Sequence, residues 1–304
     1  MLLSACTSSP ERSAPPPTSS PLSPSIGEPS GQVTFSADVD GKWDFYGGNA
    51  DVYMMGLDGR NRVNLTNHPA NDFSPEWSPD GSKIIFRTDR DGNHEIYVMN
   101  ADGSNPVNLT KHPAEERSPA WSPDGRRIAF SSDRHGDRDI YVMNADGSNA
   151  VRLAVPGEDE YPTWSPDGTE IAFTSFCATC TGAALHVMRS DGTDRRLISD
   201  DAGWPDWSPD GRLVAFDARG SDGQVYVFTL RPHVGSEPRR IVRGVQGDWS
   251  PDNSEIVYVV HEGELTPERN SLRGDIYVAN TDGSKVRRIT RTPNVFEFEP
   301  TWRP

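Results

Sequence analysis

A five-residue turn motif recurs along the chain at nearly constant spacing and constrains the fold more than any other feature. The sequence Trp-Ser-Pro-Asp-Gly occupies residues 77–81, 121–125, 164–168 and 207–211, and a variant ending in Asn occupies residues 249–253. Successive copies lie 42 to 44 residues apart. A fixed period of this size is the signature of repeat architectures, in which each unit is one supersecondary element. We therefore expect a fold made from packed copies of one small unit.

Each unit contains four short apolar strings in a fixed order. In one copy they are the segment ending at Trp121, then Ile128-Ala129-Phe130, then Asp139-Ile140-Tyr141-Val142, and a last string centred on Leu153. The strings are rich in β-branched and aromatic residues and are bounded by Gly, Pro, Asp or Asn, which indicates strands. Four strands per unit and six units predict an all-β fold, a six-bladed β-propeller of four-stranded antiparallel blades.

The repeated motif has a structural explanation of its own. Pro at the second position of Ser-Pro-Asp-Gly suits a type I turn, and Gly follows where φ must be positive. Asn253 replaces Gly in the imperfect copy and is the next best residue for that conformation. The Trp offers a large apolar face for packing one sheet against the next. These residues are therefore predicted to hold the fold together.

The two ends of the repeat region complement each other. The first unit, at residues 32–66, has strands two to four but no Trp strand ahead of them. The last Trp strand, Glu299-Pro300-Thr301-Trp302, has no hairpin after it. We therefore expect the C-terminal strand to join the N-terminal blade, which removes an exposed sheet edge. Residues 31–304 then form one propeller domain.

These motifs resemble the TolB-type propeller repeats, also called PD40 or WD40-like repeats. The resemblance rests on the Trp-Ser-Pro-Asp-Gly hairpins, on strings such as Asp-Ile-Tyr-Val-Met-Asn-Ala-Asp-Gly-Ser at 139–148, and on Leu-Thr-x-His-Pro at 65–69 and 109–113. A true WD40 array is disfavoured, because Trp43-Asp44 is solitary. The resemblance implies an additional α/β domain ahead of the propeller in full TolB proteins. Only a 30-residue segment stands there in this sequence, so the Tol–Pal partners are not transferred.

The N-terminal segment predicts export and a lipid anchor. Leu3-Ser4-Ala5-Cys6 resembles the bacterial lipobox, and residues 7–30 are rich in Ser, Pro and Thr. Such a segment buries too little apolar surface to fold and indicates an extended tether. We therefore expect lipidation at Cys6 and an extracytoplasmic location, facing the periplasm or the cell surface. No full signal peptide precedes Cys6, which suggests an upstream start. The alternative is a disordered tail with an incidental Cys.

The other two cysteines lie close together, as Cys177-Ala178-Thr179-Cys180. In an oxidising compartment two neighbouring thiols pair, so a local disulfide between Cys177 and Cys180 is predicted. A half zinc site is the weaker option, because no second Cys pair exists.

Charge and hydropathy narrow the classes of partner. The formal net charge of −15 repels phosphate backbones, so no nucleic-acid partner is expected. The mean hydropathy is −0.66, and the sequence has no run of 18 apolar residues. A membrane is therefore expected to be contacted only through the lipid on Cys6, by a protein predicted to be a monomer.

The connection lengths separate two faces of the predicted disc. From each Trp to the aromatic residue of strand two the distance is nine residues in all five measurable units. The connection from strand two to strand three instead varies from 10 to 19 residues. Binding residues concentrate on irregular loops carried by a rigid scaffold. The face with the variable connections, here called the variable face, is the predicted binding surface.

Several polar and aromatic residues map to this face or to the central funnel. The histidines that converge on this face are candidate binding residues and metal ligands, or else cap turns of the repeat; they are His68, His94, His112, His135 and His261. Carboxylates before three of the tryptophans make the funnel acidic and suited to cationic or polar ligands, or else are solvated rim charges; they are Glu76, Asp206 and Asp248. Trp204 offers a ligand contact or a packing surface.

A short acidic segment gives a weak calcium hypothesis. Asp89, Asp91, Asn93 and Glu95 place side-chain oxygens at positions 1, 3, 5 and 7, as an EF-type loop does. The segment lacks the Glu at position 12 and the flanking helices, and Asp-Gly is ordinary turn chemistry. Whether this segment binds a metal ion is therefore left open, with calcium as the weak candidate.

The linear signatures of catalysis are missing. The sequence has no Gly-x-Ser-x-Gly elbow, no following hydrolase domain and no His-Glu-x-x-His. The favoured function is a non-catalytic, cofactor-free scaffold of the cell envelope that binds a protein or an envelope polymer. The alternative is a carbohydrate-active or metal-dependent lyase or hydrolase in the funnel, because such a site leaves no linear motif. A sensor ectodomain is a third hypothesis, without a signalling segment to support it.

Overall fold

The structure is a computed structural model that describes residues 31–39, 49–153, 157–176, 182–233, 236–262, 265–266, 269–270, 273–293 and 295–304. Within these ranges the regular structure consists of β-strands joined by turns. In this described part, no helix has the length and apolar character required to cross a bilayer. Cys6, Cys177 and Cys180 lie outside the described residues, so the anchor and the disulfide stay predictions.

The strands follow the predicted order along the chain. The first three are β1 (Gln32–Asp38), β2 (Ala50–Gly56) and β3 (Val63–Asn64). Four separate four-stranded antiparallel sheets follow: β4 (Asp72–Trp77), β5 (Lys83–Thr88), β6 (Glu95–Asn100), β7 (Val107–Asn108); β8 (Glu116–Trp121), β9 (Arg127–His135), β10 (Asp137–Asn144), β11 (Val151–Arg152); β12 (Glu158–Trp164), β13 (Glu170–Phe176), β14 (Ala183–Arg189), β15 (Arg196–Asp200); and β16 (Ala202–Trp207), β17 (Val214–Arg219), β18 (Val225–Leu230), β19 (Arg239–Arg243).

The remaining strands join the first three in an eight-stranded sheet. They are β20 (Val245–Trp249), β21 (Glu255–Glu262), β24 (Arg273–Asn280), β25 (Arg287–Arg288) and β26 (Phe296–Trp302), with a separate two-stranded pair formed by β22 (Leu265–Thr266) and β23 (Arg269–Asn270). The sheet contains two antiparallel four-stranded sets, β20-β21-β24-β25 and β26-β1-β2-β3. One parallel residue pair, Gly274 with Phe296, connects the sets.

The architecture is an all-β propeller with four-stranded antiparallel blades, as the sequence predicts. By hydrogen bonding, the described residues form four separate blades and the eight-stranded sheet. The predicted count of six depends on treating that sheet as two blades joined at Gly274 and Phe296. It therefore stays a prediction.

Pairing of the chain ends is confirmed. Strand β26 runs antiparallel to β1, with Val33 opposite Trp302 and Asp38 opposite Phe296. The backbone N–H of Arg303 also donates to the carbonyl of Gln32 at 3.0 Å. An inner strand from the C-terminus and three strands from the N-terminus thus form one antiparallel set, and neither end is left as a free edge.

The repeated tryptophans pack between neighbouring sheets, as predicted. They are only 4 to 7% exposed. Trp164 of β12 lies in one hydrophobic cluster with Ala129, Ile140 and Val142 of the preceding sheet, and Trp302 of β26 lies in one with residues of β21 and β24. Burial of such a large aromatic face is worth several kcal/mol, about 3–5 by the cost of truncating it to Ala. This packing fixes the angle between consecutive sheets.

The turn chemistry is also confirmed. Gly81, Gly125, Gly168 and Gly211 have φ of 65° to 70°, and Asn253 has φ of 60°. In the first copy the N–H of Gly81 donates to the carbonyl of Ser78 at 2.8 Å. The Ser78 hydroxyl donates to the Asp80 carboxylate at 2.6 Å, and this side-chain hydrogen bond stabilises the turn.

The fourth strand is shorter than the apolar strings suggest. In several sheets it covers only two residues, as in β3, β7, β11 and β25. Leu65 and Leu153 follow these strands and are buried, whereas Leu197 within β15 is 51% exposed. Strand β15 is the outer edge of its sheet, so the Leu197 side chain is open to solvent there. Short edge strands limit unwanted pairing with other chains.

We expect loss of the Trp302 packing to destabilise the whole ring. The Trp302→Ala variant should lose about 3–5 kcal/mol of unfolding free energy, because a buried aromatic is replaced by a cavity. Equilibrium unfolding in urea, followed by circular dichroism, measures this loss. The control is Trp204→Ala, since Trp204 is 36% exposed; its loss should stay near about 1 kcal/mol or below. Equal losses for the two variants would contradict the packing account.

Candidate functional site

The innermost strands share an irregularity that the sequence analysis did not identify. The third residue before each Trp has a left-handed backbone, with φ between 48° and 56°; these residues are Ser74, Ser118, Tyr161, Trp204, Gln246 and Glu299. The strand register shifts beside each of them, as it does between Phe73 and Glu76. They are β-bulges. A non-glycine residue in this conformation costs roughly 1–3 kcal/mol, and such strain concentrates at functional sites.

The signal for the bulges was present in the sequence. A proline follows the left-handed residue in five of the six strands; the prolines are Pro75, Pro119, Pro162, Pro205 and Pro300. Proline inside a strand lacks the N–H needed for the ladder and is confined to edges and bulges. Gly247 takes the equivalent place in β20. A proline two residues before the Trp therefore marks the bulge in five of the six inner strands.

The bulged segments surround a central cavity of about 250 Å³. Its lining comes from the residues just before each Trp, namely 74–76, 118–119, 161–163, 204–206, 246–248 and 299–301. Every innermost strand thus contributes to one space. The end nearest the left-handed residues lies towards the variable face, because each inner strand begins there; we call this end the channel mouth.

The three predicted funnel carboxylates line this cavity, and each also connects two sheets. Glu76 Oε1 accepts the backbone N–H of Trp121 at 2.7 Å, and Asp206 Oδ2 accepts that of Trp249 at 3.3 Å. Asp248 Oδ2 accepts the N–H of Trp302 at 2.5 Å. Each carboxyl group therefore accepts a hydrogen bond from the backbone of the Trp in the next inner strand. Sequence reasoning missed this role, since it depends on contacts between repeats.

Burial changes the charge of these groups. Burial, opposed by the Trp121 hydrogen bond and aided by repulsion from Asp248, raises the pKa of Glu76 to about 8. Burial also raises the pKa of Asp206 and of Asp248, and repulsion from the Asp248 carboxylate raises that of Asp206 further. Two adjacent carboxyl groups disfavour ionisation of both. The funnel is consequently less negative near pH 7 than the sequence suggests.

Aromatic and polar groups occupy the channel mouth. The rings of Tyr161 and Trp204 lie 4.7 Å apart, and Trp204 is one of the few exposed large hydrophobic residues in the described chain. Glu299 accepts from the Ser74 N–H at 2.7 Å and from the Ser74 hydroxyl at 3.0 Å. The N–H of Glu299 donates to Gln246 at 2.9 Å. The mouth is thus held by contacts between different strands.

The five predicted histidines take separate contacts. His68 and His112 each accept, through Nδ1, the N–H two residues ahead at 3.1 Å, which is the turn-capping alternative. His135 Nδ1 contacts the Tyr141 hydroxyl. The His94 ring packs edge-on against Phe73, and burial with the charges of Arg87 and Arg117 lowers the pKa of His94 to about 4.

The fifth histidine lies in a regular strand. His261 belongs to β21 and pairs with Gly274, so part of the segment 260–274 continues the ladder. The His261 ring lies 5.2 Å from that of Phe296. In the described parts of the chain, no group of three or more His, Cys, Asp or Glu is placed to hold a metal ion.

The four calcium candidates are engaged in internal hydrogen bonds. Asp89 accepts from Asn71, Asp91 from Tyr97 and Asn108, and Glu95 from Thr110 and His112. The Asn93 amide donates to backbone carbonyls of residues 112 and 114. These contacts tie the strand two–three loop to the next blade-to-blade loop, and the calcium hypothesis remains an untested prediction.

The fold and the channel define the class of protein, a β-propeller whose inner strands surround a central cavity. The sequence profile of the TolB beta propeller domain matches residues 22–174, half of the chain. The chain belongs to this family. No curated protein matches its sequence significantly.

Solved structures show the same fold. TolB from Acinetobacter baumannii superposes with a TM-score of 0.77 at 20% identity, over 91% of this chain and 68% of that chain. A putative TolB from Agrobacterium tumefaciens gives a TM-score of 0.67 at 19% identity, over 90% and 99%. An oligogalacturonate lyase from Vibrio parahaemolyticus is less similar, with a TM-score of 0.57 at 14% identity over 84% and 73%.

Stability should fall as pH rises through the range in which Glu76 loses its proton. The pKa of Glu76 in the folded protein, about 8, exceeds its ordinary value of 4.5, so the folded state binds the proton more tightly. The stabilisation is present below pH 4.5 and is lost towards pH 8. The Glu76→Gln variant keeps an acceptor oxygen for the Trp121 N–H. As pH rises through this range, its free energy of unfolding should fall by at least about 1.4 kcal/mol less than that of the parent protein.

Urea unfolding at several pH values measures this difference. The exposed Glu237→Gln serves as the matched control and should follow the parent protein. Parallel pH profiles for the parent protein and Glu76→Gln would contradict the raised pKa.

Proposed function

We propose that the protein is a non-catalytic binding propeller of the bacterial cell envelope that recognises a partner protein through the channel mouth on its variable face. The observation that carries this proposal is the set of six strained left-handed residues that surround one opening. Backbone strain of this kind persists only where the surroundings enforce it, and it clusters at ligand sites. Trp204, exposed beside Tyr161 at this opening, supplies the kind of aromatic anchor found in protein interfaces.

Family membership supports a binding role in general. The TolB resemblance and the Cys6 motif also support an extracytoplasmic protein tethered by residues 7–30. A Ser/Pro-rich tether of this length would leave a propeller room to reorient above a membrane.

A photo-crosslinking amino acid placed at two positions tests the proposal. Position 204 lies at the channel mouth, and position 83 is exposed beside the regular turn on the opposite face. In envelopes of intact cells, we expect specific protein adducts from position 204 and none from position 83. With the captured protein purified, Trp204→Ala should weaken binding about tenfold or more in calorimetry, as loss of an interface anchor does. Adducts only from position 83, or unchanged affinity, would contradict the proposal.

The predicted anchor has its own test. The protein is expressed with a signal peptide ahead of Leu3 and labelled with a palmitate analogue. Label should appear in the parent protein and be absent from Cys6→Ser. An unlabelled parent would reject lipidation without affecting the proposed binding role.

One observation favours a second candidate function. Asp206 and Asp248 both line the cavity and burial raises the pKa of each, as in sites where neighbouring carboxyl groups act as an acid–base pair. A funnel lyase or hydrolase would use such groups on a polyuronate. Elemental analysis of the purified protein, followed by assays on polygalacturonate, separates the two functions. Stoichiometric metal together with turnover would replace the binding proposal, and we expect neither.

A further inference from the structure

The outer strand β19 of the sheet β16–β19 concentrates positive charge on an acidic protein. Arg239, Arg240 and Arg243 of this strand are exposed, and we call these three residues the basic edge. Because β19 ends its sheet, the outer side of the strand pairs with no other strand in the described chain. Residues 219–243 hold five arginines and two acidic residues, a net charge of +3, whereas the whole chain has −15. The charge of the whole chain therefore hides a local asymmetry.

A comparison between sheets shows why Arg239 lacks an ion pair among the described residues. In two other sheets the arginine at the equivalent place in the outer strand pairs with a glutamate; these pairs are Arg196 with Glu170 at 2.8 Å and Arg287 with Glu255 at 2.9 Å. Each glutamate stands six residues after the repeated Trp, and the sheet β16–β19 has Leu213 at this place. Arg239 instead donates to the backbone carbonyl of Asp282 at 3.4 Å. A neutral group thus takes the place of the carboxylate.

Arg240 differs from its equivalents in the same way. In two other sheets the equivalent arginine pairs with an aspartate near the start of the third strand; these pairs are Arg152 with Asp139 and Arg288 with Asp275. Each aspartate stands two residues before the aromatic residue opposite the arginine, and β18 has Tyr226 at this place, two residues before Phe228. The Arg240 guanidinium carbon lies 4.6 Å from the centre of the Tyr226 ring. An aromatic ring thus replaces the carboxylate beside Arg240.

Nearby acidic groups reduce this positive charge without pairing with it. Asp222 accepts the Tyr226 hydroxyl at 2.6 Å, and Asp282 accepts a backbone N–H of its own turn at 2.8 Å. In the described part of the chain neither carboxylate forms an ion pair with the basic edge, and each is affected by one of its arginines only at longer range. Arg243 donates to the side-chain oxygen of Gln224 at 2.7 Å. The three guanidinium groups therefore keep donors free for an anionic ligand.

The basic edge is a ridge, since it lies on the outermost strand of its sheet. Arg243 stands opposite Tyr226 in the strand register, and Arg240 lies over the same ring. Arg239 instead reaches the turn of the neighbouring sheet at Asp282. Guanidinium groups consequently lie on both sides of one short strand, where they can contact an extended surface. Because guanidinium groups bind phosphate oxygens through charge-assisted hydrogen bonds, phosphate groups spread over a surface match this arrangement.

We propose that the basic edge binds an anionic lipid surface through the headgroup phosphates, with the propeller lying edge-on to the membrane. Each arginine near such a surface strengthens binding about fivefold. Salt at about 0.1 M screens charges more than about 10 Å apart, so the acidic remainder of the protein opposes the contact only weakly. This contact adds to the one expected through a lipid on Cys6, which would hold the edge close to the headgroups. It is also additional to the proposed binding role, because an edge-on propeller leaves the channel mouth open to a partner.

Flotation of the full chain with phospholipid vesicles tests the proposal. The protein carries Cys6→Ser, so that no lipid on the chain contributes. In about 0.1 M salt we expect binding to phosphatidylcholine vesicles that contain about 30 mol% phosphatidylglycerol, and none to phosphatidylcholine alone. Arg239→Gln/Arg240→Gln should weaken binding about 25-fold, the product of two fivefold effects. The matched control Arg189→Gln/Arg212→Gln removes the same charge from exposed turns and should bind like the parent. Equal losses in the two double variants, or no binding by the parent, would overturn the proposal.

A second variant restores the absent carboxylate and leaves all three arginines in place. Leu213→Glu puts a glutamate where the equivalent arginines of two other sheets find theirs, and it should weaken vesicle binding about fivefold. Leu213→Gln is the matched control and should bind like the parent, with the same unfolding temperature as Leu213→Glu. Unchanged binding by Leu213→Glu would show that the charge of Arg239 plays no part, and would contradict the account.

Two comparisons separate a lipid surface from other anionic ligands. Arg239→Lys/Arg240→Lys should bind the vesicles within about twofold of the parent, because charge rather than bidentate geometry carries the contact. Hexaglutamate and polygalacturonate, at a charge concentration equal to that of the vesicles, should not displace the protein. Displacement by either, or a loss in the Lys variant as large as in the Gln variant, would overturn the lipid assignment. Crosslinking at position 204 reports on the channel mouth separately, so either proposal can fail while the other stands.

Discussion

The structure depends on one repeated contact, the packing of each tryptophan against the sheet that precedes it. Trp164 fills the space beside Ile140 and Val142, and Trp302 does the same beside Ile276 and Val278. Because the aromatic face is buried between two sheets, it sets the angle at which they meet. Repetition of the contact curves the sheets into a ring, and pairing of β1 with β26 joins its two ends. The channel follows from this geometry.

Function is proposed where the ring departs from its own regularity. The left-handed residues of the inner strands cost backbone energy, and Glu76, Asp206 and Asp248 lose solvation beside the channel. Part of this cost is offset by contacts between strands, such as those from Glu76, Asp206 and Asp248 to the next tryptophan. A rigid ring can carry such strain at one opening, because the packing around it holds the geometry in place. The packing contacts and the proposed binding residues thus occupy different parts of each inner strand.

The features predicted from the sequence are those that depend on the residues within a single repeat. The hairpin turns have their glycines, and Asn253, at positive φ, and the inter-sheet role of the tryptophans is confirmed. Pairing of the chain ends followed from the strand inventory of the first and last units. The bulges were missed although Pro75 and its equivalents mark them, since strand patterning was judged by apolar periodicity alone.

Features that depend on two repeats could not be predicted from one sequence. Glu76 was assigned as a funnel charge, yet it bonds to Trp121 in the next sheet, and burial there raises its pKa. Asp248 was likewise assigned as a funnel charge, yet it accepts the backbone N–H of Trp302 in the last inner strand. Both contacts join residues of different repeats that lie far apart in the sequence, so the pattern of a single repeat does not predict them.

The most direct measurement of the central claim, that the ring closes through its terminal strands as one cooperative unit, is native-state hydrogen exchange. Amides of β1 and β26 should open with the same free energy as those of the central strands β5 and β9, in a single global unfolding event. Exchange of β1 and β26 at a clearly lower free energy, with β5 and β9 still protected, would show that the ends fray independently and would contradict the account.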